Sequence, residues 1–464
     1  MKKMSKKMIA IALAAIMIGC AGCTGQNEQT ESTTAIIEES ITSETSSLES
    51  SKMESDVSES SETSTETGSS ETDARTEESS SDSETESSEE ALASSIGAYE
   101  GTDRTEYETS EDGEHAIEAD GETISYEGIL VTKTGSSDGE DADFYGENAA
   151  IFATDGADLT ITDAYITTDG GHANGVFSYG EGTTVTISDS TILTESNNSG
   201  GLMTTGGGTM IANNLFIITQ GGSSAAIRSD RGGGTVIVDG GYYETNGKGS
   251  PAIYSTADIT VSNATLVGNI SEGVVVEGKN SVTLNNCTVI ANHTEKNSNK
   301  SDAYQAVKIY QSMSGDAQEG MSYFTMNGGS MTSLNGGMFW VSNTQCTITI
   351  ENVAFTYATD DFLTVEAAGW GREGSNGGHA YFTAKNQIME GVITVDEISS
   401  LELTLAEGTV FTGQIVSDGE TDVVIEEGAS WILTGDSYVD SLEVSGNLDL
   451  NGYSLYVDGE LYEG

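Results

Sequence analysis

From about residue 145 onward the chain repeats one pattern of apolar and polar positions. A short alternating stretch ends on Asn, Asp or Gly, and three residues later another apolar side chain follows. The stretches are Leu159–Asp163, Val185–Asp189, Val236–Gly240, Ile259–Asn263, Val282–Asn286, Phe324–Gly328 and Ile348–Asn352. Their trailing apolar residues are Ile166, Ile192, Tyr243, Leu266, Val289, Met331 and Phe355, and Met210 to Asn214 with Ile217 is a weaker copy. Alternation with period two marks half-buried strands, and the closing residues are those that tolerate a left-handed turn. A second anchor precedes each stretch: Ile151, Val176, Leu202, Ile227 and Ile253 follow one another at 25, 26, 25 and 26 residues.

One motif recurring in fixed phase, with three short strands in each unit of roughly 21 to 30 residues, predicts a solenoid. A β-sandwich would instead show hairpin turns every 8 to 12 residues. The expected fold is all-β, a single-stranded parallel β-helix over residues 145–464 with about twelve coils, roughly 55 Å long at the usual strand spacing. Residues 98–144 show only weak strand runs, at His115–Ile117 and Ile129–Val131, and are expected to cap the first coil.

The turn column at 163, 189, 214, 240, 263, 286, 328 and 352 is rich in Asn and Asp. It resembles the stacked asparagine ladder of right-handed β-helix proteins, a superfamily that includes pectate lyases and many bacterial adhesins. The resemblance is one of repeat architecture; it implies right-handed winding and carries no catalytic motif. Phase breaks mark side loops at 291–304, 312–322 and 369–380, where function tends to sit on a solenoid. The last holds Trp370, which reads as exposed.

The first residues are of another kind. Lys2, Lys3, Lys6 and Lys7 precede an eleven-residue apolar run from Met8 to Ile18. That run is too short to span a bilayer and reads as a signal peptide. Ile16-Met17-Ile18-Gly19-Cys20 resembles the lipobox of bacterial lipoproteins, which implies lipidation of Cys20 and makes 1–20 the signal segment. Cys23 is a second candidate, less suited because Cys20 would stand at its apolar position. Residues 21–97 are Ser, Glu and Thr in near monotony and are expected to form a disordered tether. The anticipated location is the outer face of a bacterial membrane, lifted outward by that tether, with a Gram-positive wall favoured.

Charge narrows the partners. The 464 residues carry 75 Asp and Glu against 17 Lys and Arg, a net −58. Such a surface repels phosphate backbones and anionic lipid, so nucleic acid is not an expected partner and membrane attachment needs the lipid. The 56 glycines and single proline suit many tight turns. Cys287 and Cys346 are too few for a disulfide framework and read as small core residues.

Bases are sparse, which makes Arg228-Ser229-Asp230-Arg231 conspicuous. Coil alignment places it near Tyr254, Glu277, Lys279, Lys308 and Tyr310 on one face, a mixed patch suited to stacking on sugar rings and bonding hydroxyls. Trp370 and Arg372 of the last loop are further candidates. Asp360-Asp361 and the acidic run Asp138–Asp143 offer hard oxygen ligands for Ca²⁺, though neither has the spacing of a calcium loop. His115, His172, His293 and His379 lack metal-ligand spacing. No nucleophile elbow, phosphate loop or Cys–His pairing occurs, so no catalytic residue is assigned.

The expected function is a monomeric, lipid-anchored surface protein of adhesin type that contacts an extracellular glycan or a surface protein. The alternatives are a polysaccharide lyase or hydrolase acting on acidic glycans, which the fold resemblance alone suggests, and a passive surface spacer.

Overall fold

The computed structural model describes residues 103–463. The signal segment, Cys20, Cys23 and the tether at 21–97 lie outside the described residues. Within them the chain winds into a parallel β-helix with two long sheets, one of 17 strands and one of 14. The narrower sheet takes one strand from every coil, so the solenoid has one coil before residue 145 and thirteen after it, against about twelve expected.

The sequence anchors form a single inward column. Ile117, Ile151, Val176, Leu202, Ile227, Ile253, Val274, Val307, Phe339, Leu363, Ile393 and Ile415 stand in parallel register from coil to coil. The alternating stretches likewise stack in the broader sheet, Leu159 on Val185, Val236 on Ile259 and Ile348 on Phe382. Every such side chain is buried, and their continuity along the axis makes one core.

All eight positions of the turn column have positive φ, from 50° at Asp189 to 73° at Gly240. Each turn separates two segments of the broader sheet and bends the chain at a corner. The Asn and Asp side chains there point outward: Asn214 Nδ2 donates to Asp189 Oδ1 at 2.8 Å and Asn286 Nδ2 to Asn263 Oδ1 at 3.1 Å, both exposed. The inside of the corner goes to the next residue, which is mostly small: Ala164, Ala264, Cys287 and Gly329. A Cβ on Gly329 would stand 2.0 Å from the Cys287 carbonyl oxygen, so the inside has no room for more. Cys287 and Cys346 are free, buried thiols, and burial raises both.

A second ladder lies inside, at the opposite corner. The backbone N–H of Ser199 donates to Ser224 Oγ at 2.9 Å, that of Ser224 to Ser250 Oγ at 2.8 Å, and that of Ser250 to Ser271 Oγ at 3.0 Å. Thr194, Thr219 and Thr245 donate their hydroxyls to the carbonyls of Ser199, Ser224 and Ser250. These serines and threonines are buried, and the ladder satisfies backbone groups that water cannot reach.

The described part of the stretch expected to cap the first coil, residues 103–144, forms coils of its own. Thr105–Thr109, Ile117–Asp120 and Thr123–Lys133 join the two sheets in the same register as later coils. A six-residue helix, Glu140–Tyr145, then leaves the coil. After Tyr357 the coils lose the second segment of the broader sheet, and the register step falls to 22 and then 20 residues. Ser437–Val439, Leu455–Val457 and Glu460–Leu461 finish the described chain with the only antiparallel pairing among the described residues.

Candidate functional site

The outward positions of the narrower sheet also align. Phe152, Phe177, Met203, Arg228, Tyr254, Val275, Lys308 and Trp340 succeed one another in register. The outer face of a solenoid is ordinarily wet, yet Phe177, Met203 and Trp340 are buried. Side excursions cover them: the helix Glu140–Tyr145 and the loops at 293–304, 312–320 and 366–378. Thr205 Oγ1 fastens the first by donating to the Phe144 carbonyl at 2.6 Å. Gly369 N–H donates to the Lys300 carbonyl at 2.7 Å and joins two of the others.

Between these covers lies a pocket of about 280 Å³, lined by Asp143, Phe144, Asn198, Arg228, Asp230, Tyr254, Asn297, Tyr310 and Asp316. Arg228 Nη2 is 2.9 Å from Asp230 Oδ2 and its Nη1 donates to the Ser223 carbonyl at 3.1 Å. Burial pushes the Asp230 carboxyl up against the opposing pull of Arg228. Arg231 lies over the Phe144 ring at 3.8 Å, with Nη1 3.3 Å from Glu140 and Nη2 3.1 Å from Asp316. Asp143 Oδ1 sits 2.8 Å from His172 Nδ1. Burial alone would raise the Asp143 carboxyl, but His172, Arg228 and Arg231 together hold it below its ordinary value.

Behind the pocket stands a polar and aromatic wall. Glu277 is buried and accepts from Tyr254 Oη at 2.5 Å, from the Ser312 N–H at 3.2 Å and from the Ser312 hydroxyl. Burial first raises Tyr254 and Tyr310 well above the ordinary tyrosine value. The Tyr310 phenol and Glu277 add to it at Tyr254, while at Tyr310 Glu277 adds to it and the Tyr254 hydroxyl pulls the other way. The Lys308 ammonium lies 4.2 Å from the Tyr310 ring centre, 4.3 Å from that of Trp370 and 5.9 Å from that of Trp340. Among the described residues no carboxylate comes within ion-pair distance of it, and burial lowers its proton affinity against the pull of Glu272 and Glu277.

Arg228, Asp230, Arg231, Tyr254, Glu277, Lys308 and Tyr310 thus meet on one face, as coil alignment places them, and Trp370 joins them from its loop. The chain matches no known protein family model, no curated protein and no solved structure. Trp370 is buried at 6 % exposure, packed edge-on against Tyr310 and Trp340, because its loop folds back on the sheet. Tyr310 is likewise buried, and Tyr254 is partly buried with its hydroxyl held by Glu277, so they wall the pocket without offering free rings for stacking. Arg372 is exposed and belongs to a different cleft of about 500 Å³ beside Glu319, Asn343 and His379. Lys279 lines a third, of about 460 Å³, with Arg231 and Asp258.

Phe144, His172, Asn297 and Asp316 complete the site beyond the sequence candidates, together with Asp143, which the sequence offered only within an acidic run for Ca²⁺. The signal for Asp143 and Phe144 was their place in an acidic excursion that ends on two aromatics, Asp143-Phe144-Tyr145. Among the described residues no group of three or more His, Cys, Asp or Glu side chains is arranged to hold a metal ion, Asp138–Asp143 and Asp360-Asp361 included.

Proposed function

We propose that this is a lipid-anchored bacterial surface protein that binds a carbohydrate unit in the pocket over Arg228. The observation that carries the reading is a built pocket on an otherwise regular rod. Excursions from several coils converge to cover one stretch of sheet, and the charges beneath are paired and held in position, with Arg228 and Asp230 largely out of solvent. Stability alone does not call for this, since removing a surface charge pair costs little and burying one is seldom favourable. Preorganised donors and acceptors around a small cavity suit a ligand rich in hydroxyls. The size fits a single sugar ring better than a chain segment. The lipobox at Ile16–Cys20 and the Ser/Glu/Thr-rich stretch after it support attachment outside the cell.

One observation favours a hydrolase as the second reading: Asp143 and Asp316 line the same pocket, and two carboxylates across a sugar are what glycoside hydrolysis uses. A glycan array probed with the protein, followed by product analysis of each bound glycan, separates the readings. Selective binding without cleavage supports the binding protein, shortened products support the hydrolase, and binding to no glycan rejects both.

A further inference from the structure

The charges of the pocket restrict which sugar it accepts. Arg228 lines it, Arg231 borders it through Asp316, and both guanidiniums are taken. Arg228 is held by Asp230 and the Ser223 carbonyl, and Arg231 by Glu140 and Asp316 with one face on Phe144. Four carboxylates, Glu140, Asp143, Asp230 and Asp316, surround those two cations. Even a protonated His172 beside Asp143 leaves the surroundings negative. Lys296 is paired with Asp302 at 2.7 Å, and Lys308 lies behind Tyr310 without lining the cavity. A uronate entering here would meet no free cation and would have to break an existing pair. A ligand amine would meet Asp143, the pocket carboxylate without an arginine partner of its own.

We infer that the pocket selects a glycan unit carrying a protonated amine, a deacetylated hexosamine, and turns away uronates. The inference rests on the carbohydrate-binding reading above and narrows it. Asp143 receives the ammonium, while Asn297 and the Asp316 oxygen that Arg231 does not engage are left for hydroxyls. The acidity of the whole chain draws oligocations toward the surface, but only the pocket distinguishes where the amine sits on a sugar.

Calorimetric titration of the full chain at physiological salt tests this with four probes: tetraglucosamine, its fully N-acetylated form, tetragalacturonate and tetralysine. Tetraglucosamine is expected to bind about tenfold tighter than the acetylated form, the ratio that one modest charge pair produces. Tetragalacturonate and tetralysine are expected to bind at least tenfold more weakly than tetraglucosamine. Asp143→Asn should bring the two glucosamine forms to equal affinity. Asp316→Asn should release Arg231 and raise tetragalacturonate binding, a gain that an unfolded variant cannot mimic. Equal binding of the acetylated and free-amine forms, tighter binding of the uronate, or tetralysine matching tetraglucosamine overturns the amine selectivity. If the acetylated form or the uronate still binds, the carbohydrate reading stands without it. Binding of none of the three sugars overturns both.

Discussion

Arg228, on the strand Ile227–Ser229, and Asp230, just past its end, have Nη2 and Oδ2 2.9 Å apart, yet both side chains are nearly sealed from solvent. Deleting one partner of a buried pair leaves an uncompensated charge, whereas replacing both with apolar groups need not. Asp230→Asn is expected to cost about 3 kcal/mol or more, and Arg228→Met with Asp230→Leu substantially less. Urea unfolding of the three proteins checks this. A single variant as stable as the parent would mean that the pair is more hydrated than its burial indicates.

The serine ladder makes a different demand. Ser224 Oγ accepts from the Ser199 N–H at 2.9 Å and donates toward the Gly222 carbonyl at 3.1 Å, inside the solenoid. Ser224→Ala strands a buried N–H and should destabilise by about 1–3 kcal/mol. Hydrogen exchange at the Ser199 amide should rise with it. Unchanged protection there would show that another acceptor takes over.

Lys308 is an ammonium enclosed by three aromatic rings. Its proton affinity is lower folded than unfolded, so the unfolded chain binds more protons in the alkaline range below the free-lysine value, and this residue's contribution to stability rises with pH there. Cation–π contacts offset part of the burial cost. Lys308→Met should therefore raise stability at neutral pH by about 1 kcal/mol and flatten the slope in the alkaline range below the free-lysine value. Thermal melts at several pH values would reveal it, and a loss of stability at neutral pH would instead make the cage net favourable.

At the exposed turns the backbone decides. Asn286 has φ +52° and points to solvent. Asn286→Gly should change stability by less than about 0.5 kcal/mol, since glycine adopts that conformation freely. Asn286→Val should cost about 1–2 kcal/mol, because a β-branched side chain resists the left-handed region. Equal midpoints for the two variants would contradict a conformational cause.

Much of this architecture is legible in the sequence because the repeat states each strand several times over. Alternation places Leu159, Val185 and Ile259 on one inner face, and the Asn/Asp/Gly residue after each stretch marks the bend. The serine ladder escaped that reading. Ser199, Ser224, Ser250 and Ser271 are polar residues in buried positions, and a pattern of apolar residues does not register them. The Asn-rich column shows the reverse, since its stacking is real but faces outward. The site divides similarly. Arg228, Tyr254 and Lys308 come together because each occupies the same phase of its coil. Trp370, Phe144 and Asp316 depend on how irregular excursions fold back, and no period encodes that. The opening coil is faint in the sequence because its strand Thr123–Lys133 alternates with partly exposed residues at the solenoid's end.

Stacking one coil on the next also sets how the rod yields to force. The bonds between coils point along the axis, so tension entering at Thr105–Thr109 opens that strand from Ile129–Lys133 a few bonds at a time. Each coil that peels away frees about 25 residues, on the order of 85 Å of slack. The protein should therefore lengthen by unravelling in steps when pulled from Thr105–Thr109, with the first coils opening before those that carry the pocket.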